Sequence, residues 1–119
     1  MKKPDALAAL AALAQDNRLD IFRLLVRAGR EGMSAGSIAS ALKLAPNTLT
    51  FHLDRLRDAD LVTVEREGRS MIYAARYDTM NGLLVFLTEN CCQGNPEQCL
   101  PQESGKSVRT AVRRKEPVA

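Results

Sequence analysis

The sequence lacks a long apolar run, a second histidine and cysteines spread over its length. A helix that spans a bilayer needs about 18 consecutive apolar residues, so we expect no membrane-spanning segment and no membrane partner. A lone histidine argues against a catalytic or metal-ligand role for His52. The three cysteines all lie within residues 91–99, whereas a disulfide framework would spread them over the fold. This clustering favours a reduced compartment and a local thiol site.

The N-terminal segment has only part of the pattern of a signal peptide. Two lysines precede an alanine- and leucine-rich stretch, but polar residues follow at 15–18 and no small-residue cleavage site is present. We therefore interpret the segment as a helix of a mature cytoplasmic protein.

Charge is unevenly distributed along the 119 residues. The formal net charge is +3, with 45% hydrophobic and 26% charged residues, as in an ordinary globular chain. Residues 106–119 contain five basic groups and one acidic group, whereas residues 1–105 contain 12 basic and 13 acidic groups and so carry −1. The basic excess suggests a nucleic-acid partner. Within residues 1–105, however, only local patches of basic side chains can support binding to that partner.

Periodicity predicts a mainly α fold with a small β element (α+β). Apolar residues recur at helical spacing in about five segments, and in the first of these Leu7, Leu10 and Leu13 form an apolar stripe. Residues 62–75 instead alternate about a charged tip, Glu67-Gly68-Arg69, which predicts a two-stranded β-hairpin.

The order of these elements is that of a winged helix-turn-helix. In the fourth helix Leu49, Leu53 and Leu56 turn one face inward, so the remaining side chains can meet DNA. The alternative for this helix is that its polar face only contacts solvent. The alternative for His52 is a role in packing or capping. The candidate DNA contacts are Asn47, Thr48, Thr50, Phe51, His52 and Arg55 on this helix, with Arg66 and Arg69 on the hairpin.

Three stretches carry a family resemblance: residues 13–22 (LAQDNRLDIF), residues 47–56 (NTLTFHLDRL), and the segment from Leu61-Val62 to Tyr73. In continuous order they resemble the ArsR-type (arsenic-repressor-like) transcriptional regulators over about residues 5–90. The resemblance implies a homodimer held by the first and last helices. It also implies binding to an inverted-repeat operator, with repression that an inducer relieves.

Two positions depart from the family pattern. Phe51 stands where the family often has Arg, Gln or Lys, which suggests either a thymine methyl contact or simple packing. Asp60 replaces the usual glycine of a turn, and we expect it to adopt a left-handed conformation at some strain.

The cysteines also differ from the family's prototype arsenic site, because the corresponding stretch here, residues 35–43, contains none. Some relatives do place arsenic-binding cysteines at the C-terminal end, and here Cys91, Cys92 and Cys99 are the candidate ligands. Soft thiolates select soft ions, and trivalent arsenic needs three sulfurs where structural zinc needs four ligands. The alternatives to arsenite as the signal at these cysteines are methylarsenite, antimonite, lead, cadmium and thiol oxidation.

These observations predict a DNA-binding and dimerisation domain over residues 1–90, a metalloid-binding segment over 91–99 and a basic disordered tail over 100–119. The predicted function is an arsenite-responsive repressor of double-stranded operator DNA, with As(III) as inducer and no organic cofactor. An enzyme, such as a thiol-based arsenate reductase, is disfavoured because no C-x-x-C motif, phosphate-cradling glycine loop or acid–base pair is present.

Overall fold

The computed structural model describes residues 1–94, so Cys99 and the predicted tail at 100–119 lie outside the described part. Within that part the fold is mainly helical with one small antiparallel sheet, which confirms the predicted class. Its elements are α1 (Lys3–Leu13), α2 (Asp16–Ala28), β1 (Met33–Ser34), α3 (Ala35–Leu42), α4 (Pro46–Asp58), β2 (Val62–Glu67), β3 (Ser70–Ala75), α5 (Tyr77–Thr88) and a 3₁₀ turn at Cys91–Gly94.

The helix boundaries follow the predicted capping residues. Ser34 precedes α3, and its hydroxyl accepts a hydrogen bond from the backbone N–H of Ser37 at 3.1 Å. Pro46 is the first residue of α4, where its missing N–H costs no helical hydrogen bond. Gly29 ends α2 with a φ of 85°, a conformation that glycine adopts readily.

The sheet has three strands in the order β1-β3-β2, and the sequence predicted only the two of the hairpin. The missed strand, β1, is two residues long and pairs Met33 with Tyr73. Gly32 permits this approach, because its φ is 73° and a Cβ there would clash with the carbonyl oxygen of Tyr73. The hairpin of β2 and β3 is the wing. Its strand β3 pairs on one side with β2 and on the other side with β1, which leads directly into α3.

Helix α1 meets the core mainly through its alanines. Ala6, Ala9 and Ala12 are buried in the core and Leu13 packs against it, while Leu7 is 56% and Leu10 is 40% exposed. Alanine has no bulk beyond Cβ, so α1 can lie close to its neighbours. Of the predicted apolar stripe, Leu7 and Leu10 are therefore exposed, and Leu13 packs against the core.

The turn after α4 places Asp60 in the left-handed region, with a φ of 61°, as the sequence predicted. Its N–H donates to the carbonyl of Arg57 at 2.9 Å, and the N–H of Leu61 donates to that of Leu56 at 3.0 Å. These bonds satisfy carbonyls at the end of α4 and direct the chain into β2.

Helices α2, α3 and α4 and the sheet share one core. Residues 1–87 form one unit, and the described residues 88–94 belong to a second. In residues 1–94 no helix is long and apolar enough to cross a membrane. The most deeply buried large side chains are Ile21, Leu25, Ile38, Leu49, Leu53, Leu56, Leu61 and Val62.

Candidate nucleic-acid interface

Helix α4 has one face in the core and one face open, as its leucine spacing predicted. Leu49, Leu53 and Leu56 are buried. The hydroxyl of Thr50 donates to the carbonyl of Pro46 at 3.0 Å, so part of its hydrogen-bonding capacity is used within the helix. The exposed side chains of the helix include the predicted contacts Asn47, Thr48, Thr50, Phe51 and Arg55.

Asn47, Phe51 and Arg55 follow one another at intervals of four residues and therefore form one ridge along the exposed face. Phe51 is 53% exposed. The guanidinium carbon of Arg55 lies 5.2 Å from the centroid of the Phe51 ring, within range of a cation–π interaction. The alternative that Phe51 packs inside the fold does not hold.

His52 does not lie on this exposed face, and its side chain is only 6% exposed. Nη1 of Arg18 lies 3.3 Å from its Nδ1. Because arginine can only donate, we assign Nδ1 as the acceptor and place the ring proton on Nε2. The structure corrects the assignment of His52 as a DNA contact and supports the packing role that the sequence left open.

Burial lowers the pKa of His52 below its ordinary value, and the nearby positive charge of Arg18 lowers this pKa further. Both causes act against the charged imidazolium. The side chain is therefore a neutral acceptor inside the fold at neutral pH.

The hairpin presents the other two predicted contacts. Gly68 and Arg69 form its two-residue turn, and Gly68 adopts a φ of 61°. Nε of Arg66 donates to the carbonyl of Gly68 at 3.2 Å, which holds this side chain against the tip. Arg66 and Arg69 are both exposed, so the wing offers two cations to a backbone phosphate or a minor groove.

Sequence reasoning missed three basic residues around this interface. Nε of Arg18 donates to the carbonyl of Ala12 at 2.6 Å, so this side chain joins the end of α1 to α4 through His52. Lys43 lies in the turn between α3 and α4 with a φ of 57°, and Arg57 is exposed near the end of α4. Counting cations near the helix-turn-helix could have found Lys43 and Arg57, but no local pattern indicates the Arg18 contact.

Two of the three candidate thiol ligands lie in the described part. Sγ of Cys91 and Sγ of Cys92 are 3.6 Å apart, and both residues are half-buried. Cys91 is disulfide-bonded, whereas Cys92 is a free thiol. Helix α5 ends at Thr88, and Asn90, Cys92 and Gln93 have positive φ angles. The helix therefore stops before the cysteines, ahead of the predicted break at Gly94-Asn95-Pro96.

In residues 1–94 no group of three His, Cys, Asp or Glu side chains is arranged to hold a metal ion. Cys99 lies outside this part, so the three-sulfur set remains a prediction.

Comparisons with known proteins place the chain among DNA-binding regulators. Residues 13–65 match the helix-turn-helix domain family. The arsenical resistance operon repressor of Bacillus subtilis (strain 168) is 32% identical over 81 residues, which are 68% of this chain and 73% of the relative.

Two solved structures extend this likeness. The ArsR-like transcriptional regulator from Rhodococcus sp. RHA1 is 21% identical, with a TM-score of 0.66 over 94% of this chain and 96% of the other, which shows the shared fold. Reduced HlyU from Vibrio cholerae N16961 is 27% identical, with a TM-score of 0.58 over 76% of this chain and 92% of the other.

The domain match covers α2 to β2, and the repressor from Bacillus subtilis is similar over most of its own length. The fold, the open face of α4 and these similarities agree with one another, and none of them indicates an enzyme. The chain belongs to the ArsR-type family of winged helix-turn-helix transcriptional regulators.

Proposed function

We propose that this protein is an arsenite-responsive transcriptional repressor. It binds operator DNA as a homodimer and leaves it when As(III) binds to Cys91, Cys92 and Cys99. The observation that carries the inducer assignment is the 3.6 Å separation of the Cys91 and Cys92 sulfurs. The similarity to an arsenical resistance operon repressor supports the same inducer class.

The DNA-binding part of the proposal is supported by the open face of α4 and by the wing. Asn47, Thr48, Phe51 and Arg55 are exposed on a helix whose other face is in the core. A helix of this kind can enter a major groove while its buried face holds it to the domain. Arg66 and Arg69 supply the phosphate contacts that position it.

The homodimer part is supported by exposed apolar side chains on two helices. Leu7 and Leu10 of α1 face solvent, as do Leu84, Val85 and Leu87 of α5. Monomeric proteins rarely expose apolar side chains in contiguous patches, and a second copy of the chain would cover these. A homodimer also doubles each set of phosphate contacts, which matters because residues 1–105 carry a net charge of only −1.

The inducer part follows from thiol chemistry. Thiolate–metal bonds are about 2.3 Å long for zinc, and bonds of that length allow one centre to reach two sulfurs 3.6 Å apart. Arsenous acid condenses with three thiols: each S–H proton leaves with one hydroxyl group, three As–S bonds replace three As–O bonds, and three waters are released. Cys99 would supply the third sulfur, and this step requires all three thiols to be reduced.

Thiol oxidation is a second candidate signal, because Cys91 is disulfide-bonded. A solved structure of a similar protein, HlyU, is described as reduced, so that protein has a defined reduced form. Here, peroxide would accept two electrons and two protons from a pair of thiols and yield a disulfide and two waters. DNA would then be released by oxidation alone.

Mass spectrometry of the intact protein tests the assigned arsenic ligands. After reduction, arsenite should give an adduct that contains one arsenic atom and has lost one proton for each sulfur bound. Cys91→Ser and Cys92→Ser should lose that adduct, whereas Glu89→Gln, an adjacent variant without a thiol change, should keep it. An unchanged adduct in both serine variants would overturn the assigned ligands.

A further inference from the structure

We propose that Phe51 and Arg55 form a pair that reads a thymine together with a neighbouring guanine. The ring of Phe51 receives the 5-methyl group of the thymine in the major groove. The guanidinium of Arg55 donates to O6 and N7 of the guanine. The inference rests on the proposed DNA-binding function and names the bases that α4 prefers.

The position and exposure of Phe51 are the first support. The residue is 53% exposed at the middle of the ridge between Asn47 and Arg55. A single exposed apolar side chain is common and by itself indicates nothing. This one, however, lies on the face that the helix-turn-helix arrangement directs at DNA, between two side chains that can pair with base edges.

The orientation of the ring is the second support. The Phe51 and His52 ring centroids are 5.3 Å apart, with an angle of 65° between the planes, which is an edge-to-face arrangement. His52 is held in turn by Arg18, and Arg18 by the carbonyl of Ala12. The Phe51 ring therefore contacts a side chain that is fixed in the core, and a ring held in this way loses less freedom when DNA binds.

The placement of the Arg55 guanidinium sets the two bases close together. Its carbon lies 5.2 Å from the Phe51 centroid. Stacked base pairs are about 3.4 Å apart, and the separation is shorter than two such steps, so the two side chains can contact adjoining base pairs. The methyl group of thymine is the apolar feature of the major groove, and O6 and N7 of guanine are the pair of acceptors that arginine reads best. The side chains thus match a thymine next to a guanine.

The test begins with duplexes that the full chain selects from a random-sequence library. Each thymine of a selected half-site is then replaced by deoxyuridine, which lacks only the 5-methyl group. We expect one thymine at which the replacement weakens binding about fourfold, the effect of one methyl group removed from water. Replacing the adjoining guanine by 7-deazaguanine, which lacks the N7 acceptor, should weaken binding about tenfold.

Variants assign these effects to residues. In Phe51→Ala the deoxyuridine effect should vanish while the 7-deazaguanine effect remains, and Arg55→Ala should give the reverse. Met71→Ala is the matched control, because it removes another exposed apolar side chain from the wing and should keep the fourfold deoxyuridine effect. Thermal melting of each variant checks that the fold is intact.

The outcomes separate this inference from the function on which it rests. If the wild-type chain selects no sequence, the DNA-binding function fails and this inference fails with it. The pair is overturned alone if the chain binds selected duplexes but no thymine responds to deoxyuridine, or if Phe51→Ala keeps the response. A sensitive guanine more than one base pair from the sensitive thymine also overturns the pairing.

Discussion

Nη1 of Arg18 lies 3.3 Å from Nδ1 of His52 and joins the start of α2 to the buried side of the recognition helix α4. The same guanidinium reaches the end of α1, because its Nε donates to the carbonyl of Ala12. One side chain thus connects the helix that carries the exposed leucines of the proposed dimer contact with the helix proposed to read DNA.

Arg18→Lys should destabilise the fold. Lysine keeps the charge but cannot place two donors in the fixed fork of a guanidinium, so at least one hydrogen bond is lost. We expect the free energy of unfolding to fall by about 1–3 kcal/mol in urea titrations. Arg23→Lys is the control, since Arg23 is exposed on the same helix. Equal stability of the two variants would show that the Arg18 contacts contribute nothing.

Stability should decrease as the pH falls through the ordinary pKa range of histidine, near 6.5. Burial lowers the pKa of His52 in the folded chain, and the Arg18 charge lowers it further. The unfolded chain therefore binds the proton first. The His52 contribution is fully present above the unfolded pKa, begins to be lost below it, and is gone below the folded pKa.

The chain has one histidine, so the variant His52→Asn, which keeps an acceptor near the position of Nδ1, should lose this pH dependence. The check is urea unfolding of both proteins at several pH values between about 7.5 and 5. A stability difference that stays constant over this range would contradict the account.

Asp60→Gly should stabilise the protein. Asp60 has a φ of 61°, a conformation that costs a residue with a Cβ about 1 kcal/mol and glycine nearly nothing. We expect a gain of about 1 kcal/mol, measured by thermal or urea unfolding. The control is Asp58→Gly, because Asp58 ends α4 in a helical conformation and glycine there should destabilise. A change of stability in the same direction in both variants would contradict a cost of the left-handed conformation at Asp60.

Arg69→Ala should weaken binding to all DNA sequences alike. Arg69 lies exposed at the hairpin turn, and loss of one phosphate contact lowers the slope of log affinity against log salt by about 0.9 per subunit. Fluorescence anisotropy at several salt concentrations measures that slope. Arg30→Ala, which removes a cation beside Tyr77, should leave it unchanged. An unaltered slope in Arg69→Ala would remove the phosphate role.

Sequence patterning predicted the parts of the interface that depend on local spacing. The leucines at 49, 53 and 56 placed the two faces of α4 correctly, and Ser34 and Pro46 placed the starts of α3 and α4. Each of these signals lies within a few residues of the feature that it specifies. The ridge formed by Asn47, Phe51 and Arg55 follows from the same helical period.

The remaining features depend on contacts between distant segments. Strand β1 is too short to show alternation and exists because Met33 pairs with Tyr73. The His52 contact joins residues 34 positions apart. The apolar stripe of α1 is visible in the sequence, but which residues of this helix are buried depends on its packing: Ala6 and Ala9 lie in the core, whereas Leu7 and Leu10 are exposed.

The central claim is that As(III) at the cysteines releases DNA, and a DNA-release titration of the fully reduced protein tests it most directly. Fluorescently labelled selected duplex is held by the protein while arsenite is added, with zinc and peroxide in parallel. We expect release at about one arsenite per subunit and little effect of zinc. Cys91→Ser and Cys92→Ser should still bind DNA but should not release it. Release by peroxide while arsenite has no effect would contradict the central claim and establish thiol oxidation as the signal.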